Sequence, residues 1–327
     1  MGKLKITRNL RIMTFLSILG IFISLWGCAS QKDQRDALTG NEFRRLLTLQ
    51  KEKQNAAKAN EEALKKSPEM TAEGFERLAD AYFQQGNLEM AFLQYDRSLR
   101  LNPNQPGIRY KQGRLFLEKG MTEEARKEFQ GILKLDPQYA LAYEGMGWFF
   151  LKKNEMKEAE QNLLKAIQLD PRLWQAHHLL GIVYDRQRQF DQAILYYRRA
   201  VALKPDRGMI HNNLGICFFL SGQYERAVDS FHEALKTEDP KGQVYNNLAL
   251  TLCKLGKYGE ALELFKKGGN EAGAYNNLGY IYLLEGKNKE AINAFEKALD
   301  LSPGFYVKAY ENLNRAKATS PDSLSLK

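Results

Sequence analysis

Four prolines recur at a spacing of 34 residues in the middle of the chain: Pro103, Pro137, Pro171 and Pro205. A fixed period of this length is typical of stacked helix–turn–helix units, each of which buries its apolar face only against its neighbours. Proline ends a helix because it lacks a backbone N–H and its ring clashes with the preceding turn. The spacing therefore predicts an all-α protein in which each proline closes one unit.

Other residue types repeat in the same frame when the first of these units begins at residue 72. The eleventh and twenty-fourth positions are aromatic or large and apolar, the eighth is small, and the twentieth is always alanine. The alanines are Ala91, Ala125, Ala159, Ala193, Ala227, Ala261 and Ala291. Glycines such as Gly86 and Gly120 follow the first helix, where the left-handed conformation costs glycine least. We therefore predict two helices per unit, packed closely where the small residues lie.

The frame divides the chain into units and flanking segments. We predict seven units between residues 72 and 305, at 72–105, 106–139, 140–173, 174–207, 208–241, 242–271 and 272–305. Residues 42–71 are interpreted as a degenerate N-terminal capping repeat, 306–318 as a C-terminal capping helix and 319–327 as a disordered tail. The unit at 242–271 is four residues short and has no closing proline, which is either a tolerated deletion or a kink that shapes a groove.

The repeated pattern resembles the tetratricopeptide repeat, in which Leu-Gly, Tyr, Ala, Phe and Pro recur at fixed offsets. One unit shows it as Leu180-Gly181, Tyr184, Ala193, Tyr197 and Pro205. The resemblance implies a solenoid, a right-handed superhelix of antiparallel helix pairs. It also implies that positions two, five, six, nine, twelve and thirteen of each first helix line the concave face.

The pattern of the first 27 residues predicts a leader peptide that is not part of the fold. Four basic residues precede the apolar run Ile12–Trp26, which is too short for a comfortable membrane span and suits a signal peptide. The following Gly27-Cys28 resembles a bacterial lipobox, which implies that residues 1–27 are removed and that Cys28 carries palmitate and other acyl chains. Residues 28–41 are then a flexible tether. In the bacterial lipoprotein sorting rule an Asp after the lipidated Cys retains the protein in the inner membrane, so Ala29 at this position implies the periplasmic face of the outer membrane.

Charge and chemistry exclude several function classes. The formal net charge of +9 falls by four to +5 when the leader is removed, which does not support nucleic-acid binding. His177 and His211 occupy a packing position, and Cys217 and Cys253 are expected to be separate thiols, one packed and one facing the groove. Without a catalytic or metal-ligand constellation we predict no enzyme activity, metal, cofactor or small-molecule substrate.

Paired asparagines in the last three units are the candidate binding residues. An Asn amide offers one acceptor and two donors, which suits the backbone of an extended peptide. The predicted peptide-binding set is Asn212, Asn213, Asn246, Asn247, Asn276 and Asn277 with the apolar neighbours Ile216, Phe219, Leu250 and Tyr280. The alternatives, that Asn is merely tolerated there or bonds between repeats, stay open.

The N-terminal half of the same face is more charged. Its residues are Arg77, Asp80, Tyr110, Lys111, Arg114, Glu144, Trp148 and Lys152. They either engage a second partner or stay solvated, and the sequence does not decide between these outcomes.

The predicted function is that of a membrane-anchored scaffold or adaptor that binds a partner protein. The Asn-Asn-Leu-Gly units and the segment Ser302–Leu313 resemble the lipoprotein of Tad-type (Flp) pilus assembly. That resemblance implies a pilotin-like role with a secretin or pilus component as partner. The alternatives are an adaptor of a periplasmic protease or peptidoglycan hydrolase, and a component of outer-membrane protein insertion.

Overall fold

A computed structural model describes Arg45, Thr48 and residues 70–237, 241–302 and 306–319. Over these residues the chain forms fifteen helices and no strand. The predicted signal peptide, Cys28, the tether, most of the N-terminal cap and the tail lie outside the described residues. The described residues group into two compact units, 70–203 with Arg45 and Thr48, and 204–319.

Both compact units are built from consecutive antiparallel helix pairs. The first contains α1 (Ala72–Gln84), α2 (Leu88–Leu101), α3 (Pro106–Glu118), α4 (Thr122–Leu135), α5 (Ala140–Lys152), α6 (Met156–Leu169), α7 (Trp174–Arg186) and α8 (Phe190–Leu203). The second contains α9 (Gly208–Leu220), α10 (Tyr224–Leu235), α11 (Gly242–Lys254), α12 (Tyr258–Gly268), α13 (Glu271–Leu284), α14 (Asn288–Asp300) and α15 (Val307–Thr319). The prediction of an all-α fold of repeated helix pairs is confirmed.

The turn inside each pair needs one residue in the left-handed conformation. Gly222, with φ of +80°, serves this purpose between α9 and α10. Asn154 and Arg188 adopt the same conformation in the two pairs that lack the glycine. Asparagine tolerates this region better than most residues, whereas arginine does so at a cost. The turn is therefore kept even where the sequence lacks the residue that favours it.

A large side chain from each second helix, aromatic except for Leu163 in α6, fills the space beside small residues of the first helices. Phe129 of α4 is fully buried, and a Cβ atom built on Gly113 of α3 would lie 2.4 Å from its ring. A Cβ built on Gly145 of α5 would lie 2.5 Å from the same ring. The ring thus occupies the volume that side chains at both glycines would need, and it joins one helix pair to the next.

A side chain at the fourth position of several units bonds back to the preceding proline. His177 Nε2 donates to the carbonyl oxygen of Pro171 at 3.0 Å, and His211 Nε2 donates to that of Pro205 at 2.9 Å. The hydroxyl of Tyr143 bonds the Pro137 carbonyl at 3.1 Å, and Arg109 Nη2 bonds the Pro103 carbonyl at 3.4 Å. These bonds satisfy carbonyls that lie beyond the end of a helix and so have no helical partner.

The short unit brings two backbone segments unusually close. Its second helix, α12, has 11 residues and ends at Gly268. A Cβ built on Gly268 would lie 2.5 Å from Asn246 Oδ1 and 2.9 Å from the Gly242 carbonyl oxygen. Only glycine fits there without a shift of α11 or α12.

Candidate functional site

Four of the candidate or neighbouring amides pair between successive first helices. Asn247 Nδ2 of α11 donates to Asn212 Oδ1 of α9 at 2.9 Å. Asn312 Nδ2 of α15 donates to Asn276 Oδ1 of α13 at 3.0 Å. The structure therefore shows that Asn212, Asn247 and Asn276 bond between repeats, which was one of the alternatives left open by the sequence.

Asn246 differs from its counterparts because its unit is short. Its side chain packs against Gly268 at the end of α12. Asn213 is half-buried and also has a partner within the chain. Asn246 therefore does not repeat the pairing between first helices that Asn212 and Asn276 show.

Asn277 is the amide with spare hydrogen-bonding capacity. It is half-buried on α13, and within the described segments no side-chain or backbone group bonds its amide. Tyr280, one turn further along α13, is also half-buried and packs against the last core cluster. An amide that is partly desolvated and unbonded gains most from a new partner, since each missing bond has a cost.

The predicted apolar floor is mostly closed. Phe219 and Leu250 are each 5% exposed and Cys253 is 2% exposed, while Ile216 is half-buried. Within the described residues Cys217 and Cys253 form no disulfide and both are buried, so the expectation of one thiol facing the groove is wrong. Positions nine and twelve are therefore mostly covered by neighbouring residues, which a 34-residue frame does not reveal.

Burial also makes the Cys253 thiol unreactive. Desolvation raises its pKa to about 12, and the nearby Glu285 carboxylate acts in the same direction. A thiol with a pKa this high is almost entirely protonated at neutral pH and is a poor nucleophile.

On α1 and α3 the charged residues largely satisfy one another. Lys111 Nζ lies 2.7 Å from both Glu76 Oε1 and Asp80 Oδ2. The hydroxyl of Tyr95 donates to Asp80 Oδ1 at 2.6 Å. The Lys111 contacts join the first helices α3 and α1, and the Tyr95 contact joins the two helices of the first pair.

A buried carboxyl group continues this pattern into α5. Glu144 is 2% exposed, accepts a short hydrogen bond from the Tyr110 hydroxyl and is bonded by the Ala176 backbone N–H. Burial raises the pKa of Glu144, although these hydrogen bonds oppose the rise. Sequence reasoning named both residues but not the pair; their equal position in consecutive units was the available signal.

The described residues provide no other recognisable chemistry. Among them, no group of three or more His, Cys, Asp or Glu side chains is placed to hold a metal ion. No helix in the described ranges is both long and apolar enough to cross a membrane.

Stacked helix pairs with a polar face along their first helices define a class of repeat scaffold. This class typically mediates protein–protein contacts and carries no catalytic machinery of its own. Tetratricopeptide repeat models match residues 79–120, 110–173, 178–243, 242–268 and 272–305. The chain belongs to the tetratricopeptide repeat superfamily.

Solved structures of other repeat proteins share this fold. A thermophilic tetratricopeptide repeat protein of Thermus thermophilus is 21% identical over 56% of this chain and all of its own, with a TM-score of 0.50. The pilF protein of Pseudomonas aeruginosa is 22% identical over 66% of this chain and 97% of its own, with a TM-score of 0.52. Cut9–Hcn1 of the APC/C is 21% identical over 78% of this chain and 50% of its own, with a TM-score of 0.55. No curated protein matches the chain significantly in sequence.

The two kinds of asparagine are expected to respond differently to mutation. Asn247→Ala removes the donor to Asn212 and should lower the free energy of unfolding by about 1–2 kcal/mol, because a partly buried acceptor loses its partner. Asn277→Ala should change it by less than about 0.5 kcal/mol, since no bond within the described chain is lost. Urea denaturation followed by circular dichroism measures both values. Equal losses would contradict the distinction drawn between paired and unpaired amides.

Proposed function

We propose that this protein is a membrane-anchored adaptor whose second compact unit holds an extended segment of a partner protein. The observation that supports this most directly is the half-buried amide of Asn277, which no described residue bonds. Its amide has two donors and one acceptor, enough to bond an N–H and a C=O of an extended backbone. Tyr280 beside it supplies an apolar surface for a partner side chain.

Asn213, Ile216 and Tyr280 would extend this surface, whereas the paired amides support it. Asn212, Asn247 and Asn276 fix the spacing of their helices through bonds to neighbouring repeats. Rigid first helices lower the conformational cost of binding, because less of the site has to be ordered. Phe219 and Leu250 contribute as buried packing beneath the face.

The anchor in this proposal is the lipid on Cys28. The basic segment, the apolar run and Gly27-Cys28 support it. Several acyl chains on one cysteine bury many methylene groups at about 0.8 kcal/mol each, which makes attachment stable. Ala29 after the lipidated residue supports the outer membrane, with the repeats in the periplasm.

For the partner, we propose a component of a Tad/Flp-type pilus or secretin system. The support is the resemblance of the Asn-Asn-Leu-Gly units and of Ser302–Leu313 to pilus-assembly lipoproteins. In this role the protein is pilotin-like and helps a secretin reach or assemble in the outer membrane. The two other candidate roles are an adaptor of a periplasmic protease or peptidoglycan hydrolase, and a part of the outer-membrane insertion machinery.

Affinity purification of the full chain from detergent-solubilised envelopes tests anchor, site and partner together. The variants are Cys28→Ser for the anchor, Asn277→Ala for the site, and Asn162→Ala on α6 as a matched control, because its amide bonds only the Glu158 carbonyl of its own helix. We expect wild type and Asn162→Ala to recover a secretin or pilus component. The amount recovered with Asn277→Ala should be at least about tenfold lower. Cys28→Ser should leave the membrane fraction.

Each part of the proposal has its own contrary result. Undiminished recovery with Asn277→Ala would remove the site, and membrane retention of Cys28→Ser would remove the anchor. Recovery of a protease, a wall hydrolase or the insertion machinery would replace the proposed system by one of the other roles.

A further inference from the structure

Arg114 on α3 has an environment unlike that of the other arginines nearby. Its guanidinium carbon lies 5.6 Å from the ring centroid of Phe83, 5.9 Å from that of Tyr110 and 6.0 Å from that of Trp148. Phe83 and Trp148 belong to α1 and α5, on either side of α3. Three first helices therefore contribute one ring each to a single cation, which fixes its position by cation–π attraction.

No described residue accepts a hydrogen bond from Arg114. Its Nε atom is buried and has no hydrogen-bond partner, and no carboxylate in the described part of the chain forms an ion pair with it. Arg109 on the same helix also has a buried, unbonded Nε, but its two terminal nitrogens bond Glu128 at 3.2 Å and the Pro103 carbonyl. A half-buried cation held by rings, with its fork of N–H groups unbonded, is prepared to accept an anion.

The acids nearest to Arg114 are already engaged. Glu144 accepts from the Tyr110 hydroxyl and from the Ala176 backbone, and Asp80 is bonded by Lys111 and Tyr95. The charge of Arg114 also acts on the Glu144 carboxyl, but the two groups form no ion pair within the described residues. The aromatic rings in turn exclude water from part of the cation, which strengthens an interaction with any carboxylate that reaches it.

We propose that Arg114, framed by Phe83 and Trp148, binds an aspartate or glutamate side chain of an acidic protein segment. The carboxylate would receive two parallel N–H···O bonds from the guanidinium fork, while the two rings contact the adjoining apolar atoms. This site lies in the first compact unit and does not depend on Asn277. It assigns a ligand class to the charged half of the face.

Fluorescence anisotropy with a fluorescein-labelled oligoglutamate peptide and the full chain in detergent tests this site. An oligoglutamine peptide of the same length is the uncharged probe. Arg114→Gln removes the charge and the fork, and Arg114→Lys keeps the charge and loses the fork. Arg126→Gln is the matched control, because Arg126 also lies over a ring, that of Phe149, but is already paired with Glu123.

We expect wild type to bind oligoglutamate and not oligoglutamine, with Arg114→Gln weakening the affinity at least about tenfold. Arg114→Lys should be intermediate, while Arg126→Gln and Asn277→Ala should bind as wild type does. Thermal melts followed by circular dichroism check that the variants are folded. If Arg114→Gln is not folded, Arg114→Lys still tests the site, because it retains the aliphatic stem and the charge. Absence of oligoglutamate binding to wild type, equal binding of oligoglutamine, or wild-type affinity in both Arg114 variants would overturn the proposal.

Discussion

Replacing Phe129 with alanine is expected to lower the free energy of unfolding by about 3–5 kcal/mol. The ring is fully buried between Gly113 of α3 and Gly145 of α5, so its removal leaves a cavity at the junction of two helix pairs. Repeat proteins draw much of their stability from such junctions, because each unit contacts only its neighbours. Urea denaturation followed by circular dichroism measures the loss.

The glycines beside the ring provide a control, because the effect of Gly145→Ala on stability should change sign when Phe129 is removed. Gly145→Ala should destabilise wild type by about 1–3 kcal/mol through overpacking against Phe129. In the Phe129→Ala background the same substitution should be neutral or stabilising, since the clash is gone and alanine favours helix by about 1 kcal/mol. Gly131→Ala on α4 should stabilise either background, because nothing lies within 4 Å of its Cβ position. Additive effects of Phe129→Ala and Gly145→Ala would refute this account of the junction.

Acidification from pH 7 to pH 4 is expected to remove about 3 kcal/mol of stability through His178 alone. The side chain is 3% exposed, and burial lowers its pKa from 6.5 to about 4. Below pH 6.5 the unfolded chain binds a proton that the folded chain does not. The contribution of His178 is therefore complete above pH 6.5 and is lost as the pH falls towards 4.

Other buried groups in the same compact unit change the pH dependence of the whole protein's stability but not the contribution of His178. Burial also lowers the pKa of His177, whereas it raises the pKa of Asp185 to about 6 and that of Glu144 above its usual range. The two acids take up protons in the folded state first, so their contributions increase as the pH falls. The total pH dependence is thus a sum of opposing effects.

Comparison with His178→Leu isolates the histidine. The free energy of unfolding is measured by urea denaturation at several pH values from 7 to 4 for both proteins. We expect wild type to lose about 3 kcal/mol more than the variant over this range, whatever the absolute stability of the variant. Parallel pH profiles would show that His178 is protonated equally in both states.

The repeat architecture could be predicted because its cause is local. Prolines such as Pro137, the alanine column and the small residues beside aromatic rings each restrict the same helix pair, and they recur often enough to fix its length. Close packing at Gly113 and Gly145 follows from the same pattern, because a small residue in one helix faces a large one in the next. All-α architecture and its helix pairs were therefore predictable from sequence.

The state of individual candidate residues could not be predicted in the same way. Whether Asn247 faces a ligand or bonds Asn212 depends on a rotation of successive first helices that a 34-residue frame does not contain. The four missing residues in the short unit change that geometry locally, so that Asn246 meets Gly268 while Asn277 stays unbonded. Cys253, expected at the groove, is buried, which its place in the frame did not reveal.

The bonds from the fourth position to the preceding proline have a consequence for how such a chain can change its length. Arg109, Tyr143, His177 and His211 are chemically different, yet each reaches the carbonyl six residues earlier. The seam between consecutive units thus depends on a donor of sufficient reach rather than on one residue type. Excising or duplicating residues 140–173 would rejoin a proline to such a donor at the same spacing, so this bond by itself does not tie a unit to one place in the order, whereas the packing of Phe129 on Gly145 does.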